Sequence, residues 1–247
     1  MIKYLKDEVF EVKIEIWSDF ICPYCYIGKT NLEIALKKAN VIDDVKIEYK
    51  SFRLGPFESK DTDSFYRVLM NRNNKTLDEI KTLTNKISEQ AKQIGITIHF
   101  DRMKYADTLN AHRLTKYAES FGKEKDVVNL IYKKYFTDNE NIGHKQVLIN
   151  IAQEIGLDTE EVDALLCLNK YAKSVKLDEE LAKEIGIEGV PFFIFNEEYA
   201  ITGAQSVDVF LQVIEELTKE ESVNGKWNDS TGGYCKTTYC IGEECDL

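Results

Sequence analysis

The chain has 247 residues, and its 43% of hydrophobic and 30% of charged residues suit one large domain or one domain with a sizeable insertion. Its 32 basic and 43 acidic side chains give a net charge of -11, which disfavours nucleic acid and anionic membrane surfaces as partners because both would repel the protein. No stretch approaches the ~20 apolar residues that cross a bilayer, and the first residues lack the apolar core of a signal peptide, so we expect a cytoplasmic protein.

Residues 1–55 predict a strand, a helix and a second strand. Apolar and charged residues alternate from Phe10 to Ile16 and again from Val45 to Lys50, which is the period of a strand. Between these strands, Pro23 suits the first turn of a helix whose apolar face comprises Gly28, Leu32, Ala35, Leu36 and Ala39. Strict alternation is unusual in fully buried parallel strands, so we expect one face of the sheet to be partly exposed.

Residues 56–187 read as a succession of helices. The run from Thr76 to Glu79 has the capping-box pattern of a helix start, and the run from Asp158 to Glu161 resembles it. Four glycines mark expected helix ends: Gly95, Gly122, Gly156 and Gly186. We therefore predict an all-α insertion. Within it, Cys167 stands among apolar residues, and we expect a buried, inert thiol.

Residues 188–222 return to strands. Pro191 to Phe195 predicts a buried strand, and Tyr199 to Thr202 its hairpin partner. Ser206 then suits the N-cap of a helix. The order βαβ, helical block, ββα predicts an α/β protein with a thioredoxin-like fold and a large all-α helical insertion. Residues 223–247 read as a flexible tail that carries Cys235, Cys240 and Cys245.

We expect the reactive residues of the protein to be the two cysteines of the segment Cys22-Pro23-Tyr24-Cys25. Disulfide exchange needs one thiolate to attack a disulfide sulfur and a second thiol close enough to resolve the mixed disulfide. The start of a helix favours an anion at Cys22, and Cys25 lies one turn further in as the buried resolver. Pro23 and Tyr24 should influence that thiolate and contact substrate. A lone C-x-x-C also occurs as half of a zinc site, but the strand before it and the helix after it favour redox chemistry, and we predict no metal.

Four segments of the chain together resemble the DsbA family of the thioredoxin superfamily, specifically its FrnE-like cytoplasmic branch. They are residues 18–28, 108–114, 189–193 and 201–205, which follow one another in family order. The resemblance implies a dithiol–disulfide oxidoreductase in which Cys22 is the nucleophile, Cys25 its resolver and Pro191 a cis-proline. A proline there has no N–H, so we expect the backbone of Val190, with Pro191, to bind an extended substrate chain.

Two related groups, the kappa-class glutathione transferases and the 2-hydroxychromene-2-carboxylate isomerases, resemble the chain in architecture. This resemblance suggests an alternative function for the chain, that of a glutathione-dependent transferase or isomerase acting on a small organic molecule. They typically carry Ser where Cys22 stands, so the two cysteines here favour redox exchange. A third hypothesis is a metal-binding or chaperone module without enzymatic activity.

The direction of exchange does not follow from the fold. Tyr24 stands where periplasmic DsbA usually has His, and thioredoxin-type potentials run from about -270 mV to about -120 mV, so we expect an intermediate value. We predict no bound cofactor, with glutathione or another thiol as electron partner and protein disulfides or low-molecular-weight thiols as substrates. Nothing in the sequence marks an oligomer interface.

Two further groups of residues are candidates for supporting roles. Asn110 and His112 lie in one of the family-like segments, and we expect them to face the cleft over Cys22 and bind substrate, although a helical His is otherwise usually structural or exposed. The tail cysteines suit a secondary redox role, with an internal disulfide, a thiophilic metal or an exposed tail without a defined role as alternatives. Their spacing does not match the usual C-x2-C zinc knuckle.

Overall fold

The computed structural model describes residues 12–55, 63–223 and 237–239. The strands are β1 (Val12–Ser18), β2 (Val45–Ser51), β3 (Phe192–Phe195), β4 (Tyr199–Thr202) and β5 (Thr237–Tyr239). The helices are α1 (Pro23–Lys38), α2 (Phe65–Asn73), α3 (Leu77–Gln93), α4 (Leu109–Glu119), α5 (Glu124–Tyr132), α6 (Lys145–Glu154), α7 (Thr159–Cys167), α8 (Ala172–Glu184) and α9 (Val207–Val223). A short 3-10 turn (Phe100–Arg102) precedes α4, and a π-helical turn (Lys133–Thr137) follows α5. None of the helices in this described part combines the length and apolar composition that crossing a bilayer requires.

The strands form one mixed sheet in the order β2-β1-β3-β4-β5. The first two strands are parallel and joined through α1, so residues 12–51 are the βαβ unit that the sequence predicts. The third strand is antiparallel to both β1 and β4, with which it forms the predicted hairpin. Asn196 and Glu197 have φ of 48° and 61° in the hairpin turn, the left-handed conformation that such tight turns need. The α/β thioredoxin-like fold is confirmed.

Each face of the sheet is covered by different helices. On one face, Ile16 and Phe193 are buried, and the Phe193 ring packs edge-on against Phe210 of α9 at 5.0 Å between centroids. On the other face, Trp17 packs with Ala182 of α8. Burying one such large side chain contributes about 1.5–3 kcal/mol, so both faces stabilise the sheet.

The helix α8 lies within the range that the sequence assigns to the insertion, yet it packs on the sheet. Besides the contact with Trp17, its Asp178 accepts a hydrogen bond from the backbone N–H of Ser51 at 2.7 Å. The same carboxylate pairs with Lys116 of α4 at 2.7 Å. The helical segment therefore supplies one layer of the thioredoxin-like core and ties that layer to α4.

The predicted helix signals match the structure closely. Thr76 and Glu79 form a reciprocal capping box at the start of α3, and the Asp158 side chain caps α7. Each of the four glycines follows a helix and has a positive φ, between 63° and 82°. In the predicted flexible tail, by contrast, residues Thr237–Tyr239 form β5, which pairs in parallel with β4. The flexibility of the tail as a whole remains a prediction.

The alternating charges on β1 and β2 form a ladder of ion pairs on the partly exposed face. Lys13 lies 3.2 Å from Glu15 and 3.4 Å from Glu48, and Lys50 lies 3.3 Å and 3.1 Å from the same two carboxylates. Lys46 adds a further contact to Glu48 at 3.1 Å. The prediction that one face of these strands is partly exposed is confirmed, since Lys46 is exposed and the other four side chains are only partly buried.

We expect the free energy of unfolding of Glu48→Gln to fall less steeply than that of the wild type as the pH is lowered. Partial burial acts to raise the pKa of Glu48, but its hydrogen bonds with Lys46 and Lys50 and the charges of Lys50 and Lys13 outweigh this and lower the pKa to about 2 from its ordinary 4.5. Because the folded-state pKa is depressed, the stabilisation is present above pH 4.5 and is lost as the pH falls towards 2. Urea denaturation from pH 7 to pH 2 should therefore show a shallower loss in the variant. An unchanged slope, equal to that of the exposed control Glu89→Gln, would contradict this.

Candidate active site

The redox pair lies at the first turn of α1. Cys22 directly precedes the helix in an extended conformation, with φ of -90° and ψ of 112°, and Pro23 is the first helical residue. The backbone N–H of Cys22 donates to the carbonyl of Asp19 at 3.2 Å, and that of Cys25 donates to the carbonyl of Cys22 at 3.1 Å. The turn between β1 and α1 thus fixes where the first sulfur is presented.

The two thiols differ in access. Cys22 is 5% exposed, whereas Cys25 is fully buried. Burial raises the pKa of Cys25 well above its ordinary value, and the hydrogen bond with Cys22 and the charge of Cys22 raise it further. A hydrogen bond from the backbone of Asp19 acts in the opposite direction. The site therefore has an outer thiol that keeps a small exposed area and an inner thiol that stays protonated at neutral pH.

The loop before β3 lies against the outer thiol. The Val190–Pro191 peptide bond is cis, and the Cys22 Sγ lies 3.7 Å from the carbonyl oxygen of Val190. The carbonyl of Pro191 accepts a hydrogen bond from the N–H of Gly203 at 2.8 Å, which ties this loop to the end of β4. The structure thus brings together residues that are about 165 positions apart in the sequence: Cys22, Cys25, Val190 and Pro191.

Gly28 allows α1 to approach this loop closely. A Cβ atom at this position would lie 3.1 Å from both the Phe193 ring and the Pro191 ring, and 3.3 Å from the Ala204 Cα. A side chain of any size would push the helix and the proline apart, so the absence of a side chain sets the spacing between α1 and the Pro191 loop.

Two pockets flank the redox turn. A small cavity of about 30 Å3 on one side has Cys22 in its wall and is lined mainly by apolar side chains, including Leu54, Phe65 and Val68. A larger cavity of about 580 Å3 on the other side is more polar and is lined by Tyr24, by Gln90 and Gln93 of α3, and by residues 203–208 at the start of α9. The sequence predicts a cleft here but not its division into an apolar and a polar part.

The comparison with known proteins is consistent with this geometry. The DSBA-like thioredoxin domain family matches residues 13–215, which is most of the chain. The chain belongs to this family. A crystal structure of a probable DsbA oxidoreductase, SCO1869 from Streptomyces coelicolor, is 31% identical, with a TM-score of 0.79 over 85% of this chain and 91% of that chain. The uncharacterized protein YwbO of Bacillus subtilis is 28% identical over 85% of this chain and 99% of its own length.

Solved structures of lower sequence identity are similar to this chain in fold alone. The cytosolic disulfide reductase DsbM from Pseudomonas aeruginosa, solved with GSH, is 15% identical, with a TM-score of 0.60 over 84% of this chain and 99% of that chain. The family match and the 31% identical probable DsbA oxidoreductase support an oxidoreductase function for this chain.

Asp19 is a functional candidate that the sequence reasoning missed. Its carboxylate is fully buried between β1 and the redox turn. One oxygen accepts from the N–H of Phe20 at 2.7 Å and lies 3.2 Å from the His112 Nε2, and the other accepts from the N–H of Leu54 at 2.6 Å. A carboxylate directly after a buried strand and three residues before Cys22 is the sequence signal that could have identified it.

His112 and Asn110 do not line either of the two pockets. His112 is 3% exposed, and its ring packs on Phe20 at 4.6 Å between centroids. Asn110 accepts a hydrogen bond from Arg113 at 2.6 Å, and the buried Arg113 guanidinium also donates to carbonyls at the end of α7. Neither His112 nor Asn110 lines a cavity beside Cys22 or Tyr24. Their predicted contact with substrate remains a prediction.

The cysteines outside the redox pair divide into two groups. Cys167 is exposed, so the expectation of a buried thiol is wrong, and its sulfur lies 3.5 Å from the Lys145 ammonium. Cys235, Cys240 and Cys245 lie outside the described residues. Within the described ranges, no group of three or more His, Cys, Asp or Glu side chains is placed to hold a metal ion.

Proposed function

We propose that this protein is a dithiol–disulfide oxidoreductase that exchanges disulfides with protein or small thiol substrates through Cys22 and Cys25. The observation that carries the proposal is the arrangement of these two thiols: an outer sulfur at a helix N-terminus, 3.7 Å from the carbonyl oxygen that precedes cis-Pro191, with a buried second thiol one helical turn behind it.

The proposed reaction conserves atoms and electrons in two exchanges. The Cys22 thiolate attacks one sulfur of a substrate disulfide, the substrate S–S bond breaks, and the first substrate thiolate leaves and takes up a proton from water. Cys25 then loses its proton and attacks the Cys22 sulfur, and the second substrate thiol leaves. The substrate gains two electrons, and the pair becomes a Cys22–Cys25 disulfide. Two molecules of a thiol such as glutathione return the two electrons by the same steps in reverse and leave as their own disulfide.

The Val190–Pro191 loop is the proposed binding site for an extended substrate peptide. Pro191 has no N–H to bond within the protein, and the Val190 carbonyl lies beside the reacting sulfur. An extended peptide that pairs with the backbone of Val190 would bring its own cysteine next to Cys22. Pro23 and Tyr24 flank this position, and each lines one of the two pockets.

A glutathione-dependent reaction on a small organic molecule is the second candidate, and the polar pocket favours it. Asn31 lines this pocket and is buried; its amide donates to the Gln205 carbonyl at 2.8 Å, but its own oxygen has no partner. An unpaired buried acceptor suits a ligand with N–H groups. Glutathione, a small peptide, has such groups, and DsbM shares this fold with GSH bound.

We propose a cytoplasmic location, where the reducing environment would keep the exposed Cys167 as a thiol. Glutathione then serves as an abundant electron partner in either candidate reaction. The tail cysteines could accept the disulfide from the redox pair, which is the secondary role proposed for them.

One experiment, with a peptide disulfide as the substrate, tests the proposal. Reduced protein is mixed with a peptide that contains one internal disulfide, without glutathione, and both species are followed by mass spectrometry. We expect one peptide disulfide to be reduced for each Cys22–Cys25 disulfide formed, since the two are the products of the same exchange. A protein that leaves the peptide intact, and whose activity on an electrophilic small molecule needs glutathione and survives Cys25→Ser, would support the second candidate instead.

A further inference from the structure

The backbone of Asp19 lies beside both members of the redox pair. Its carbonyl accepts the N–H of Cys22 at 3.2 Å, and a hydrogen bond from its backbone is among the influences that act to lower the pKa of Cys25. The same carbonyl also accepts from the Tyr132 hydroxyl at 3.3 Å. A small rotation of this one residue would therefore alter the surroundings of the two sulfurs together.

The Asp19 side chain is held by three donors from three parts of the chain. Two are backbone groups close to the turn or to the end of β2, namely the N–H groups of Phe20 and Leu54. The third is the His112 Nε2, which lies on α4, 93 residues away in sequence. Since both carboxylate and imidazole are almost fully buried, water cannot replace a lost partner at this position.

We infer that His112 is a positioning residue: through the Asp19 side chain it holds the Asp19 backbone beside Cys22 and Cys25, and so sets how fast Cys25 resolves the mixed disulfide. The inference rests on the proposed function. Without the imidazole, one carboxylate oxygen keeps only the bond to Phe20, its own neighbour, and α4 no longer constrains the turn. The first attack depends mainly on access to Cys22, whereas resolution depends on the geometry of the inner thiol.

The test compares two substitutions at one position. His112→Gln keeps an N–H donor of similar reach, and His112→Leu removes the donor while keeping the volume. Each protein is mixed with a peptide disulfide, quenched with acid over time, and the mixed disulfide on Cys22 is quantified by mass spectrometry. We expect resolution to slow about tenfold in His112→Leu, the scale of a lost hydrogen bond to a charged group, and to stay within about threefold of wild type in His112→Gln. The exposed His99→Leu is the matched control.

Two results would overturn the inference. The first is a folded His112→Leu variant that resolves the mixed disulfide at the wild-type rate, and the second is an equal slowing in the Gln and Leu variants. Should His112→Leu not fold, His112→Asn takes its place, because its amide is too short to reach Asp19 and the same slowing is expected.

A second measurement separates this inference from the proposed function. Amide hydrogen exchange at Cys22 reports the bond to the Asp19 carbonyl whether or not the protein turns over any disulfide. Faster exchange in His112→Leu but not in His112→Gln would support the positioning role even if the wild-type protein formed no mixed disulfide. Equal exchange in all three proteins would count against the positioning role, while an inactive wild type alone would count against the proposed function.

Discussion

Replacing Cys25 by serine should convert the protein into a covalent trap, whereas replacing Cys22 by serine should abolish exchange. In the first variant Cys22 still attacks the substrate disulfide, but the inner group that would release the product is a hydroxyl and cannot form a disulfide. In the second variant no attacking sulfur remains at the helix N-terminus. Loss of the nucleophile should lower the rate by about three orders of magnitude or more, as in other covalent mechanisms.

The measurement is the mass of the protein after incubation with a peptide disulfide. Cys25→Ser should gain the mass of one peptide chain, and a reducing agent should remove it, while Cys22→Ser should gain nothing at that site. Cys167→Ser is the control, because this thiol is exposed but lies outside the redox turn, and it should behave like the wild-type protein. Adducts on Cys25 in the Cys22→Ser protein would show that the roles of the two thiols are reversed.

Local sequence signals predict most of the elements that build the site. The alternation in β1, the proline at the start of α1 and the capping box of α3 each act within one element, and each is found where expected. The position of the redox pair follows directly from them, because the strand ends four residues before Cys22. The fold and the redox turn can therefore be predicted from a single sequence, because the signals for them act between residues that are close in the chain.

The contacts that complete the site are long-range, and periodicity carries no information about them. The approach of Asp19 to His112 depends on how α4 packs against the turn, and the contact of Trp17 with Ala182 depends on which face of the sheet α8 covers. Cys167 shows a related failure. Its apolar neighbours suggest burial, but it ends α7 directly before Leu168, which is 67% exposed, so the helix end lies at the surface.

The close approach of α1 to the Pro191 loop makes Gly28→Ala the second substitution with a large expected effect. Alanine favours a helix over glycine by about 1 kcal/mol, but the new Cβ would lie 3.1 Å from the Phe193 and Pro191 rings, and such overpacking costs about 1–3 kcal/mol. The net change in stability should therefore be a loss of about 2 kcal/mol or less. Turnover should suffer more, because Pro191 and Val190 must move away from Cys22 to accept the methyl group.

Stability and turnover have to be measured on the same preparations, by urea denaturation and by reduction of a peptide disulfide. Gly189→Ala is the matched control: it lies two residues from Pro191, yet a Cβ there would meet no atom within 4 Å, so both measurements should stay near wild type. We expect Gly28→Ala to lower turnover about tenfold, the scale that a displacement of about 1 Å imposes on a reacting pair. If Gly28→Ala is destabilised but turns over normally, the spacing between α1 and the Pro191 loop matters for packing alone, and the loop cannot be what aligns the substrate disulfide with Cys22.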